Sequence, residues 1–212
     1  MSLFSRLGEK SWQTPGAEHF ADPADYRPSA STVGVYLYLG VATVIFILLT
    51  GAYLMRMEMA SVMEHGSGGD WRAMPDPPLL WTNTVILATS SLAWEAARRA
   101  AGRGIWGQAR LMTLVGGAIG CAFLAGQLLL WWQYQAAGYY LAGNPAYAFF
   151  YLLTAVHGLH LAGGLLAGAR TIGQMDARAD RARIFRNVRL CAIYWHFLLL
   201  VWVLLAGLLI ST

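Results

Sequence analysis

Two histidines three residues apart, His157 and His160, stand in the stretch AVHGLHLAGG, whose other residues suit lipid. A third, His196, falls in a separate apolar run, and Glu95 and Gln127 complete the polar groups in or near such runs. Polar groups at membrane depth are costly and usually have a purpose. Three neutral imidazoles are enough in number for copper or zinc. A haem iron takes axial histidines from opposite sides, which would pair His196 with His157 or His160. Three-residue spacing turns a helix by about 300°, so His157 and His160 share one face. Yet no carboxylate stands at ligand spacing inside the apolar runs, and no acid is evident to orient an imidazole. The residues therefore favour histidines bonded to backbone or to neighbouring polar groups between helices over a metal centre. Glu95 precedes Arg98 by three residues and Arg99 by four, the spacing of an interfacial ion pair; a carboxylate near a proton entry is the alternative. Cys121 and Cys191 form no CxxC, which leaves disulfide, zinc-ribbon and c-type haem readings unsupported.

The elements that must carry these groups are membrane helices. Of 212 residues, 57% are hydrophobic and 12% charged, about half the charged fraction of a soluble domain. Five apolar runs reach the roughly 20 residues needed to cross a hydrocarbon core: Val33–Met57, Leu79–Ala97, Leu111–Gln135, Ala146–Ala169 and Leu190–Ile210. The first begins after some thirty polar residues and is too long for a signal-peptide core, so it is expected to remain as a span. The organisation is thus a polar N-terminal arm, 1–32, and a five-helix transmembrane domain, 33–212. Thirteen basic residues fall before the first span, between the second and third, and between the fourth and fifth, against Arg56 and Arg72 on the other side. By the positive-inside rule the N-terminus is cytoplasmic and the C-terminus periplasmic. The pI of 9.3 is then a topology signal, with no case for a nucleic-acid partner.

Finer features follow the same pattern. Gly116 and Gly120, and Gly164 and Gly168, have GxxxG spacing and predict close helix contact, with Gly158 widening a smooth face. Trp71, Trp81, Trp131, Trp132, Tyr134, Tyr139 and Tyr140 are expected to form an interfacial aromatic belt. Asn144–Pro145 should open the fourth span, and Gln174–Asn187, rich in charges of both signs, suggests a short surface helix.

The motifs resemble those of a known family. "FFYLLTAVHGLHLAGGL" and "YWHFLLLVWVLL" look like the last two helices of subunit III of the haem-copper terminal oxidases. "PLLWTNTVILATSSLAWEAA" and "FLAGQLLLWWQY" resemble the two helices before them, and five spans fit the short bacterial form. The resemblance carries Gln127, His157, Gly158, His160, Tyr194, Trp195 and His196 onto motif positions. It implies a non-catalytic subunit of a cytochrome c or quinol oxidase in the bacterial inner membrane, with no catalytic, cofactor or metal site in this chain. Haem and copper are expected in the partner, subunit I, with subunit II a further partner. The family role is to stabilise subunit I against turnover-linked inactivation, support proton uptake and bind lipid. Bound phospholipid is accordingly expected, with Glu95, Trp131 and Trp132 as lipid or polar contacts. Family acids are replaced at Val41–Ala42, Leu130 and Leu199, which weakens a proton-supplying role. Two other readings are an accessory membrane subunit of nitric oxide reductase and a membrane b-type cytochrome using His196 with His157 or His160.

Overall fold

A computed structural model of the chain describes residues 29–64, 71–72, 75, 78–176 and 180–211, with backbone alone at 61–64 and 176. Among the described residues the regular structure is helical, in five elements: α1 (Ala30–Glu64), α2 (Pro78–Gly102), α3 (Trp106–Ala136), α4 (Pro145–Asp176) and α5 (Arg181–Ser211). The chain divides into two units, Met1–Tyr36 and Leu37–Thr212. In the first, Ser29 caps the opening turn of α1, its Oγ lying 3.4 Å from the Thr32 backbone N–H and 2.9 Å from Thr32 Oγ1. The polar arm before it lies outside the described residues.

Each expected span lies within a helix, and the helices run further. The charged stretch between the fourth and fifth spans forms no separate helix among its described residues. It is instead the ends of α4 and α5, joined by Asn187 Nδ2 donating to Gln174 Oε1 at 2.6 Å. Asp180 opens α5, accepting the Ala182 N–H on Oδ1 at 3.2 Å. Asn144 does the same for α4, taking the Ala146 N–H at 2.9 Å, with Pro145 in the first helical position. Gly104, at φ +75°, turns the chain between α2 and α3, a conformation that glycine adopts without strain.

Four helices, α1, α3, α4 and α5, are long and apolar enough to cross a membrane. The expected fifth span, α2, has the length, 25 residues, but its own composition does not qualify it. Asn83, Thr84, Ser90 and Ser91 dilute its hydropathy, and three of these, Asn83, Ser90 and Ser91, are fully or almost fully buried. Its polarity is directed into the protein. It packs most extensively against α3 and then α5, while α4 packs on α5 and α3. α1 is joined mainly through side chains: Phe46 and Tyr53 are buried with Leu153, Val201 and Leu205 of α4 and α5.

The glycine pairs give the close contact their spacing predicts, and what enters it are rings from α2 and α5. They clear a slot for two indoles packed against each other. A Cβ on Gly116 would stand 2.9 Å from Trp94 Cδ1, and one on Gly168 2.8 Å from Trp94 Cη2. A Cβ on Gly120 would stand 2.8 Å from Trp195 Cζ2, and one on Gly164 2.9 Å from Trp195 Cζ3. The two rings, both 0% exposed, have centroids 4.9 Å apart. Thus α3 and α4 each contribute two glycines, while α2 and α5 each contribute one indole. The aromatic belt is also only partly realised. Trp81, Trp132 and Tyr140 are exposed, whereas Tyr134 is buried against Tyr139 and Phe150 with its hydroxyl donating to Pro75 O at 2.8 Å.

Gly120→Ala should therefore lower stability by about 1–3 kcal/mol through overpacking against the fully buried Trp195 indole. Gly163→Ala, with open space at its Cβ, should be neutral or stabilising by up to about 1 kcal/mol. Unfolding titrations in mixed detergent micelles check both; equal effects at the two positions would refute the slot.

A candidate polar site among the helices

The polar face of α2 is built from positions seven residues apart: Asn83 with Ser90, and Thr84 with Ser91. That period keeps them on one side of a helix, and each meets a partner on α3 or α5. Ser90 Oγ donates to the Gly116 carbonyl at 2.7 Å and accepts the Trp195 indole N–H at 2.7 Å. Thr84 Oγ1 accepts the Trp202 N–H at 3.0 Å. Asn83 Nδ2 donates to Gln127 Oε1 at 3.4 Å. Asn83 Oδ1 presses against Gly126, where any side chain would collide with it. Ser91 Oγ hydrogen-bonds His196 Nδ1 at 2.6 Å.

Of the residues picked from sequence, Gln127, Trp195 and His196 thus converge on α2. His157 and His160 turn towards Phe46 of α1, at ring-centroid distances of 6.3 and 5.3 Å. His157 is completely buried and ringed by Trp202 at 5.2 Å and Phe123 at 5.9 Å. Among the described residues neither of its ring nitrogens has a hydrogen-bond partner, contrary to the expectation of a bonded imidazole. His160 does satisfy that expectation: its Nδ1 donates to the Val156 carbonyl at 2.7 Å. Tyr194 locks the same turn by donating its hydroxyl to the His160 carbonyl at 2.8 Å. Its ring also lies against Gly164, and Gly158 faces Leu124 of α3.

Glu95 forms the ion pair read from its spacing. Arg98 grips it with Nε on Oε2 at 2.8 Å and Nη2 on Oε1 at 2.6 Å, and Arg99 Nε adds a bond to Oε1 at 2.8 Å. His196 Nε2 lies 3.5 Å from Glu95 Oε2. Trp131 is half-buried and donates to Thr154 Oγ1 at 3.1 Å, while Trp132 is 65% exposed. The two tryptophans therefore separate into a packing residue and a residue facing outward.

Sequence reasoning passed over Trp94, Trp202, Ser90 and Asn83 as individual residues. The seven-residue repeat of small polar groups on α2 was the available signal. What the arrangement does chemically is hold helices: polar side chains of α2 meet indole, carbonyl, amide and imidazole groups of its neighbours. Among the described residues no group of three or more His, Cys, Asp or Glu is placed to hold a metal ion.

Ser90→Ala removes both a donor and an acceptor at the centre of the bundle and should cost about 1 kcal/mol, within the range for membrane hydrogen bonds. Thr89→Ala, whose hydroxyl bonds only its own helix, should leave micellar unfolding unchanged. Equal loss from both would contradict the assignment.

No protein-family model matches the chain. It is 27% identical over 186 residues to cytochrome bo(3) ubiquinol oxidase subunit 3 of Pseudomonas aeruginosa, covering 87% of this chain and 86% of that protein. It is 29% identical over 199 residues to cytochrome c oxidase subunit 3 of Synechocystis sp., covering 92% and 80%. With cytochrome c oxidase subunit 3 of Bacillus subtilis the identity is 26% over 174 residues, covering 81% of each. The relatives favour neither a nitric oxide reductase accessory protein nor a b-type cytochrome.

Proposed function

Starting from its kinship with subunit III of the cytochrome c and quinol oxidases, we propose that this chain is a non-catalytic membrane subunit of a haem-copper respiratory oxidase. The observation that carries the reading is similarity to oxidase subunits 3 over 81–92% of the chain. The interior is consistent with it, because Gln127, Trp195 and Tyr194 are spent on contacts between helices. Its role is to brace the catalytic subunit I, which carries the haem and copper, with subunit II as a further neighbour. The thirteen-to-two distribution of basic residues supports a cytoplasmic N-terminus and a periplasmic C-terminus, and the bacterial relatives support an inner-membrane location. In this orientation α2 is the fifth span. Its polar face is covered by α3 and α5, and residues such as Val85 and Leu92 face lipid or protein. Phospholipid is proposed to contact the interfacial ring of Trp132.

Affinity purification of the tagged chain from native membranes in mild detergent should bring down a subunit with haem and copper, read by a reduced-minus-oxidised spectrum and metal analysis. Oxidase from cells lacking the chain should keep its initial turnover and lose activity faster during sustained turnover. Recovery of the chain as a stable protein on its own would overturn the reading.

A further inference from the structure

Both ring nitrogens of His157 are buried without a hydrogen-bond partner among the described residues, in a side chain that is 0% exposed. A neutral imidazole has one N–H to donate and one lone pair to offer. Leaving both unmet inside a membrane helix bundle is costly, because no solvent around the bundle replaces the lost bonds. The rings that enclose it do not supply them. Phe46 and Phe123 carry no polar side-chain atom, and the indole N–H of Trp202 is committed to Thr84 Oγ1 at 3.0 Å.

A second shortfall lies beside the first. Trp202 packs edge-on against Phe123, with centroids 4.9 Å apart. Gln127 follows Phe123 by one turn of α3, and Asn83 precedes Thr84 on α2. Asn83 and Gln127, 0% and 3% exposed, share one hydrogen bond at 3.4 Å, yet Asn83 Oδ1 and Gln127 Nε2 have no partner among the described residues. The amide pair so leaves over one acceptor and one donor, and exchanging oxygen with nitrogen in both amides leaves the same remainder. Four of the seven buried side-chain atoms without partners among the described residues thus belong to three residues around Phe123 and Trp202.

This remainder selects its ligand. The acceptors are Asn83 Oδ1 and one imidazole nitrogen; the donors are Gln127 Nε2 and the other imidazole nitrogen. A cation would meet the two donors, and an anion the two acceptors, so an ion of either sign is opposed by half the set. Water donates twice and accepts twice, and buried water characteristically bridges such groups with two to four bonds. Complete burial of His157 also bars a lipid headgroup or a side chain from another protein.

We propose that the bundle holds bound water in this layer, hydrogen-bonded to the ring nitrogens of His157 and to the free ends of the Asn83–Gln127 amide pair. Water then joins α4, through His157, to the polar face of α2 and to α3. The site goes beyond the oxidase reading and does not depend on it.

The test uses the tagged full-length chain, with whatever subunits it carries, in nanodiscs of native lipid. Density at a resolution that shows ordered solvent should place water oxygens about 2.7–3.2 Å from a His157 ring nitrogen and from Asn83 Oδ1 or Gln127 Nε2. Solid-state NMR of the 15N-histidine-labelled chain should transfer polarisation from water to the His157 ring, identified by the signal lost in His157→Phe. That variant keeps a ring and removes both polar atoms. It should raise the unfolding constant in mixed micelles about threefold, the scale of one membrane hydrogen bond. A dry site requires the reverse, because phenylalanine would relieve an imidazole with nothing to bond. Ordered density without solvent at His157, no transfer from water to its ring, or an unfolding constant unchanged or lowered in His157→Phe would each overturn the proposal. So would a peak there with the anomalous scattering of a metal or a halide. Should the variant fail to fold, the density of the unmodified chain decides alone. Failure of a haem-bearing subunit to copurify bears on the oxidase reading and leaves these outcomes as they stand.

Discussion

The ring contact between Trp94 and Trp195 is the one on which the bundle depends. Two indoles, 4.9 Å apart, occupy a slot walled by four glycines, and one of them reaches through Ser90 to the carbonyl of Gly116. All four helices from α2 to α5 therefore meet at one place. In lipid there is no hydrophobic gain from bringing apolar helices together, so shape fit and internal hydrogen bonds must supply the cohesion. Flat rings against bare backbone give the fit, and the serine gives the hydrogen bond. The indole nitrogen of Trp94, by contrast, is buried without a partner among the described residues. The pair is thus held by packing on one side and by bonding on the other.

This arrangement explains why α2 combines the poorest membrane composition with a central position. A helix carrying Asn83, Thr84, Ser90 and Ser91 on one face is costly in lipid alone, yet each of those groups finds a partner on α3 or α5. Polarity on this face is then a means of selecting neighbours. The converse holds for α1. Its buried stripe of Ala42, Phe46, Tyr53 and Ala60 has the period of a helix face and meets the rest through ring contacts such as Phe46 with His160 and Tyr53 with Phe149.

Much of this was legible in the sequence, because lipid imposes a simple rule on length and composition. All five helices, the Asn144–Pro145 start and the Glu95 ion pair followed from local patterns whose physics does not depend on tertiary context. What was not legible depended on what fills the space beside a residue. GxxxG specifies a smooth groove but does not say whether backbone or an indole will enter it, and here the indoles came from two other helices. Likewise, the spacing of His157 and His160 fixed their common face, while their opposite fates, one bonded to a carbonyl and one enclosed by rings, were set by Phe46, Phe123 and Trp202 from three other elements. The charged segment after α4 misled because helices continue past the membrane surface, where charge is no obstacle to helical geometry.

The two attachment styles also differ in when they can form as the chain is made. The α2–α3 turn is short, so as soon as α3 emerges, Ser90 can reach Gly116 and Asn83 can reach Gln127. Half of the polar face of α2 is thus paired early, while Thr84 and Ser91 wait for Trp202 and His196 of α5. The packing partners of α1 lie on α4 and α5, which are synthesised after α2 and α3. The buried partners of α1 thus follow it at a distance in the chain, and its apolar and aromatic stripe suits it to that delay.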